Sequence, residues 1–490
     1  MIVRAWPCAA SAALLLLAFP PFNLGLLVFV ALVPWLISLR GKSGKEAWRS
    51  GYLFGFLYGL GQLGWVGELV TRWVGSAVLG VLICALTSSV FALYYGWTAV
   101  LIRHAWARNW PWAIPLVWAG IEVFRSFIPT FSFPYALAAT PLWPYTALIQ
   151  TAHFGSIYLV SAWVLLINTT LAMWMSGTPY AQTRRYSAVA MALAAMSVVW
   201  MGDSPATDPF DVTLGQPGVD LAFGTREEQE AGLRKNVAEI IRRADESNSQ
   251  LLVLPEGIAG VPIMPPRPVF PLPKRIPVIF GGERGVDPIY QSAFAYDGVR
   301  WQVVDKTRLV VFGEFVPGRS LLGWVVRSFR LPSADLTPGR NGVQPVRLAG
   351  MTIGPIVCFE ALFPDVAYRQ AVNGSRVLAV IGIDDWFMGS GAPDQLRGAT
   401  VWRAVETGLP VVRATTTGYT MACDGKGRMI NEAPLRRPFS LRVTVPAPVT
   451  SPLFHALPVF PLGAGLFAFA FPWLPRKNPN RQTDRVAQEK

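Results

Sequence analysis

The sequence predicts an α-helical transmembrane bundle of about eight spans joined to an α/β layered domain, taking roughly 20 apolar residues per span. Three observations carry this. Residues 1–201 form a series of long apolar runs, 203–450 have a mixed composition, and another apolar run, 457–474, precedes the polar tail 476–490. The 490 residues are 52% hydrophobic with a mean hydropathy of +0.37, unlike an ordinary soluble enzyme. Within 218–381, short apolar runs of strand length alternate with helical periodicity. The order is membrane, globule, membrane, with domains expected at 1–202, 203–450 and 451–490.

Spans are expected near 9–20, 22–39, 51–70, 74–102, 112–128, 156–176, 187–201 and 455–474. Pro20-Pro21 divides the first from the second, because proline removes a donor and clashes inside a helix. The alternative for 1–20 is a cleaved signal peptide. Arg4 and the short apolar stretch suit it, but Phe19-Pro20-Pro21-Phe22 lacks the small residues of a cleavage site.

Basic residues gather between the runs: Arg40, Lys42, Lys45 and Arg49; Arg103 and Arg108; Arg184 and Arg185; Arg476, Lys477, Arg481 and Arg485. Lys and Arg mark cytoplasmic loops. With the N-terminus inside, eight spans put all these segments in the cytoplasm and 203–450 outside. The net charge of +13 therefore reads as topology and not as a nucleic-acid surface. Glu68 and Glu122 fall in or near apolar spans, where ionisable groups are costly. They are expected either to pair with Arg72 and Arg125 at an interface or to serve a function.

In the globular part, 218–223 reads as a strand, followed by a helix with Leu233, Val237, Ile240, Ile241 and Ala244 on one face. Strands are expected at 251–254, 277–280, 291–296, 352–358 and 377–381. In layered α/β domains reactive side chains sit where strands end. Glu256, Lys306 and Cys358 each follow a strand, and only the fold can bring such distant positions together.

Cys8 and Cys84 lie in apolar runs; a Cys358–Cys423 disulfide is not excluded by counting, but nothing in the spacing requires it. His104, His153 and His455 all lie in or beside the membrane part, so neither a zinc site nor a Cys-His pair is expected in the globule, and no cofactor is called for. A thiol needs a base to become a nucleophile, and a buried carboxylate with a raised pKa serves, which suits Glu256. An ammonium stabilises the oxyanion of acyl transfer, which suits Lys306.

Leu254-Pro255-Glu256, the stretch 306–317 from Lys306 through Phe312-Gly313-Glu314-Phe315-Val316-Pro317, and Cys358-Phe359-Glu360 resemble the signatures of the apolipoprotein N-acyltransferase family. Asp384-Asp385-Trp386-Phe387, the segment 403–410 and the segment 413–418 resemble its downstream segments, and the segments 18–22 and 133–135 its membrane landmarks. The resemblance implies a nitrilase-like αββα sandwich in the periplasm, on a multi-pass protein of the bacterial inner membrane with both termini cytoplasmic. It implies that Cys358, deprotonated by Glu256, takes an acyl chain from a phospholipid as a thioester while Lys306 stabilises the oxyanion. The acceptor it implies is the α-amine of a diacylglyceryl-modified cysteine at an apolipoprotein N-terminus. Glu314 is expected to orient Lys306, Glu360 to support the thiol or the acceptor amine, and Phe359 and Trp386 to line the site.

This sequence departs from the family pattern in places. Phe359 stands where many members have Tyr, Ile383 replaces a polar Asn, 224–230 lack a Lys-Trp dipeptide, and the stretch between Glu256 and Lys306 is short. Two apolar stretches, 261–273 and 321–326, read either as a lipid-handling lid or as ordinary packing. Two other readings stay open: a membrane-tethered amidase that uses water in the second step, and a non-catalytic accessory protein.

Overall fold

The computed structural model describes residues 5–202, 209–260, 264–319, 335–449 and 456–475. The N-terminal half is helical: α1 Trp6–Ala18, α2 Val33–Ser38, α3 Gly44–Gln62, α4 Gly64–Val74, α5 Ala77–Ala107, α6 Ala113–Phe127, α7 Ala152–Met175 and α8 Tyr180–Trp200. Among the described residues, two helices, α5 and α7, are long and apolar enough to cross a membrane, or three spans if the α3–α4 pair, bent by 51°, is counted as one. The span-by-span expectation therefore changes. A hydropathy window counts apolar residues without regard to breaks in the backbone.

The expected span 22–39 is a 3-10 turn, Gly25–Phe29, followed by the six-residue α2. Its broken backbone is satisfied by Asn168 of α7, whose amide donates to the Val28 carbonyl at 2.8 Å and accepts from the Leu32 N–H at 2.9 Å. Irregular backbone in an apolar bundle needs such partners. Helix α7 is itself kinked at Gly155 and Ser156.

Glu68 pairs with Arg72 on α4, as one of the two expectations had it. Glu122, buried, accepts from the Trp118 indole at 2.8 Å and the Ala138 N–H at 2.8 Å, while the Arg125 guanidinium lies 4.7 Å from the centre of the Phe91 ring.

The bundle packs closely where glycines line up. A Cβ at Gly51 would sit 2.2 Å from the Tyr95 carbonyl oxygen, and one at Gly55 2.8 Å from the Tyr95 Cβ. Small residues at four-residue spacing let helices approach without a hydrophobic drive. Gly55→Leu should therefore push α3 from α5 and cost about 1–3 kcal/mol, the usual price of overpacking. A lowered melting temperature in detergent would register it, and an unchanged one would refute this account of the contact.

The second half is a two-sheet sandwich. One sheet has the order β12-β1-β2-β3-β4-β5 and the other β11-β10-β9-β8-β7-β6. The first contains β1 Phe210–Gln216, β2 Leu251–Val253, β3 Val278–Arg284, β4 Tyr290–Tyr296, β5 Trp301–Asp305 and β12 Phe439–Val445. The second contains β6 Val346–Leu348, β7 Met351–Val357, β8 Val377–Gly382, β9 Val411–Thr415, β10 Met421–Cys423 and β11 Met429–Glu432. Strands β1, β2 and β3 run parallel, as do β7, β8 and β9.

Alternation sorts the side chains. In β8, Val377, Ala379 and Ile381 face the other sheet, meeting Val212, Val253 and Ile279 in one core. Leu378 and Val380 face outward, in a cluster with Trp402 and Val405 of α11 (Ala392–Thr407) and with Trp118 and Tyr158 of the bundle. Helix α9, Arg226–Glu246, covers the first sheet with Leu233, Val237, Ile240, Ile241 and Ala244, the face the periodicity predicts. The short α10, Pro364–Val372, joins α11 on the second sheet, and α12, Val459–Ala470, returns to the bundle. The layering is αββα, with one outer face docked on the bundle.

One strand is displaced from its expected place. Residues 218–223 form a turn, and the strand is β1, just upstream. Asp220 accepts from the N–H groups of Ala222 and Phe223, both at 2.9 Å, so a side chain takes donors that a strand would offer a neighbour. Cys358 and Cys423 are both free thiols. Of the two expected lipid-handling stretches, 321–326 and 261–263 lie outside the described residues. In 264–273, Phe270 is buried against Phe280 beneath α9, which is ordinary packing.

Candidate active site

Three strand ends converge between the sheets. Glu256 follows β2, Lys306 follows β5 and Cys358 follows β7; their side chains are all buried. Cys358 turns out of its strand at φ +53°, a left-handed conformation that costs a non-glycine residue energy and sharply re-aims the thiol. Strained turns of this kind recur at functional sites.

The Lys306 ammonium donates to Glu314 Oε1 at 2.6 Å and lies 3.9 Å from Glu256 Oε1. Burial works against its charge, but Glu314, Glu256 and Cys358 together outweigh this and hold Lys306 firmly protonated. Glu314 is fixed in turn, since its Oε2 accepts from the Val310 N–H at 2.9 Å. The expected orienting role of Glu314 thus has a geometry that suits it.

Burial raises the Glu256 carboxyl above the ordinary range; Lys306 opposes this, and so do hydrogen bonds from Gln291 and Cys358. Burial and the neighbouring Glu256 likewise push the Cys358 thiol up, against the pull of Lys306 and of the Ile383 N–H. Both shifts favour a neutral thiol beside the Glu256 carboxyl. This arrangement suits proton transfer at the moment of attack rather than a standing thiolate.

Glu360 is held by backbone and hydroxyl donors. Its Oε1 accepts from the Thr307 N–H at 2.7 Å, the Thr307 hydroxyl at 2.9 Å and the Arg308 N–H at 3.1 Å, and its Oε2 accepts from the Val357 N–H at 3.1 Å. It clamps the Lys306 loop to the Cys358 turn. Phe359 stacks on Phe133 of the bundle, with centroids 6.1 Å apart. Trp386 meets Trp73 and Phe223 edge-on, at 5.3 Å and 5.9 Å. Both aromatics stand where the bundle meets the sandwich.

Sequence reasoning missed several contributors. Gln291 donates to Glu256 Oε1 at 2.7 Å, and its carbonyl accepts the Lys306 N–H at 2.7 Å, so one residue positions two of the three. A glutamine inside a strand otherwise rich in buried residues was the available signal. Asp384 accepts from Arg413 at 2.6 Å in a fully buried pair, while Asp385 accepts from the Leu221 N–H at 2.9 Å and from Thr416 at 2.7 Å. They brace the loop that aims the Ile383 N–H at Cys358. Glu406 of α11 accepts from Ser156 at 2.6 Å and the Ile157 N–H at 2.8 Å, satisfying the kink in α7. Arg403, paired with Glu406, donates to the Leu362 carbonyl at 2.9 Å just beyond the Cys358 turn.

Gln291→Leu should lower the acylation rate about tenfold, the order of one lost hydrogen bond to a charged group. The sign for pH follows from the donor. Gln291 stabilises the ionised carboxylate, so its loss raises the Glu256 pKa further and moves the acidic limb of the pH–rate profile upward. An unmoved limb would contradict the assignment.

Residues 285–438 match the carbon–nitrogen hydrolase family, and residues 11–170 match the apolipoprotein N-acyltransferase N-terminal domain. The class is thus an enzyme in which a helical domain carries a carbon–nitrogen hydrolase domain. The chain is 30% identical over 461 residues to the apolipoprotein N-acyltransferase of Geobacter metallireducens, covering 87% of this chain and 86% of that protein. It is 26% identical over 441 residues to the apolipoprotein N-acyltransferase of Nitrosomonas europaea, covering 84% and 85%. This chain belongs to the apolipoprotein N-acyltransferase family. Among solved structures it is similar to an amidase of the nitrilase superfamily from Nesterenkonia, at 17% identity, with 50% of this chain and 94% of that chain covered and a TM-score of 0.36.

Proposed function

We propose that this protein moves a fatty acyl chain from a phospholipid, through a thioester on Cys358, to the α-amine of an S-diacylglyceryl-cysteine at the N-terminus of an apolipoprotein. The observation that carries it is the convergence of Glu256, Lys306 and Cys358 from three strand ends, with Lys306 Nζ 3.9 Å from Glu256 Oε1. Glu256 accepts the thiol proton as sulfur attacks the ester carbonyl. Lys306 stabilises the tetrahedral oxyanion. Collapse breaks the ester C–O bond, and Glu256 returns the proton to the departing lysophospholipid oxygen. The acceptor amine then attacks the thioester, its proton passes to Glu256, and the thiol is regenerated when the C–S bond breaks.

The reading includes a topology. The bundle 1–202 and the helix within 451–490 sit in the bacterial inner membrane, and 203–450 faces the periplasm. In support, the basic segments at 40–49, 103–108 and 184–185 fall at one end of the bundle and the sandwich at the other. Phe133 of the bundle also stacks on Phe359, the residue next to Cys358, so the apolar packing of the bundle reaches the thiol's neighbour.

Intact-mass spectrometry tests the chemistry. Protein incubated with phospholipid should gain one fatty-acyl mass, which a diacylglyceryl-cysteine peptide should remove onto its own amine. Loss of the adduct to water alone would assign a hydrolase, and a protein that never gains the mass would overturn the proposal.

A further inference from the structure

The end of the bundle farthest from the sandwich holds a cavity of about 520 Å³. The N-terminal part of α7 and the end of α8 face the sandwich, through Ser156 with Glu406 and Trp200 with Lys426. The cavity lies at the opposite ends, among the α2–α3 turn, the end of α5 and the α7–α8 turn. Arg40, Lys42 and Arg103 line it, together with Trp106, Thr178 and Gln182.

The cations are held in place by neutral groups. The Arg40 guanidinium lies 4.2 Å over the Trp106 ring, Arg103 Nε donates to the Lys42 carbonyl at 2.8 Å, and Lys42 Nζ donates to the Ser50 hydroxyl at 3.1 Å. Among the described residues that line the cavity, none is acidic. Three like charges sharing one recess repel each other and favour an anion between them. Burial also lowers the Arg40 pKa, as for a cation short of a counter-charge.

We infer that this cavity binds the phosphate-bearing headgroup of an anionic phospholipid, at a site separate from the one that contains Cys358. The volume suits a glycerophosphate headgroup, since small-ligand sites run from about 300 to 1,000 Å³. Guanidinium groups match phosphate geometry, and basic recesses between membrane helices are a recurring way to hold acidic lipids. A lipid is favoured over free phosphate because apolar side chains flank the recess. Trp174, Met175 and Tyr180, at the adjoining ends of α7 and α8, are 67%, 65% and 75% exposed, where acyl chains would lie against them.

The inference rests on the membrane reading of the bundle. Full-length protein is reconstituted into nanodiscs of phosphatidylcholine doped with phosphatidylglycerol, and retained phosphatidylglycerol is counted by native mass spectrometry after release into detergent. Discs offer the same lipids on both faces, so the orientation does not enter. If the membrane reading itself fails, the protein will not incorporate into the discs at all. Wild type should retain phosphatidylglycerol, and the double variant Arg40→Gln/Arg103→Gln should retain about tenfold less or lower still.

Arg184→Gln/Arg185→Gln removes the same charge from the same end but outside the cavity, and should retain wild-type amounts. Gln182→Glu, which places an anion in the recess and leaves the cations intact, should also lose the lipid. Equal loss in both arginine pairs would reduce the effect to diffuse surface charge and overturn the site. So would retention in Gln182→Glu. Displacement by inorganic phosphate, but not by chloride at equal ionic strength, would make free phosphate the occupant and overturn the lipid assignment.

Discussion

Cys358→Ala is expected to abolish acyl-enzyme formation and to lower acyl transfer by a factor on the order of 10⁴ or more, the scale on which nucleophile deletions act. Every bond change in the proposed cycle passes through this sulfur. The fold should survive, because β7 and the core residues Ile356 and Val357 are untouched. A matched melting curve separates lost chemistry from lost structure. Cys358→Ser is expected to be almost as inactive. An alcohol is much harder to deprotonate than a thiol, and the buried site already pushes the thiol pKa up. The check is intact mass after incubation with phospholipid. A full acyl adduct on the Cys358→Ala protein would end the assignment.

Lys306→Met should have the next largest effect, through two separable routes. The ammonium stands between Glu256 and Glu314, and its removal leaves buried carboxylates without their counter-charge. Breaking a buried pair in this way costs about 3–5 kcal/mol. Losing the group that faces the developing oxyanion costs a further factor of about 10²–10³ in rate. The single-turnover acylation rate and the melting temperature should therefore both fall. Glu314→Gln is the informative contrast. Lys306 keeps Glu256 as a partner, so the rate should fall only about tenfold, as for one charge-assisted hydrogen bond. A Lys306→Met protein that acylates at the wild-type rate would remove the oxyanion role.

Much of this site was legible in the chain. Glu256, Lys306 and Cys358 were located by two kinds of local signal, short apolar strands that stop at a polar residue and motif segments in register with them. The buried face of α9 was readable for the same reason, since helical spacing alone decides which side is apolar. Gly51 and Gly55, four residues apart on α3, and the basic segments between apolar runs are also sequence properties, and both have clear structural counterparts.

Other features depended on which segments meet. The bundle was read as continuous spans, but α2 is a fragment held by Asn168, a residue more than a hundred positions away. The first strand was misplaced because 218–223 has strand-like composition, while Asp220 diverts its backbone donors into a turn. Glu360 was expected to support the thiol or the acceptor amine, and how its carboxylate is held was not legible. It ties Thr307 and Arg308 to Val357, a set of partners decided by which loop packs beside it. Gln291 offered only the weak signal of a glutamine in an apolar strand, and the motif segments that contain Arg413 and Glu406 did not say which buried groups those two would meet.

The sequence by itself determined the class of this protein, through the apolar runs and basic loops of its first half and the motif segments around three residues in its second. These are statements about spacing and residue type, which a linear chain contains. The tertiary structure alone decided the backbone breaks in the bundle, the partners of each buried carboxylate, and the docking of the sandwich on the helices. Those depend on satisfying every buried polar group at once, and here partners such as Asn168 for Leu32 and Glu406 for Ser156 lie more than a hundred positions away.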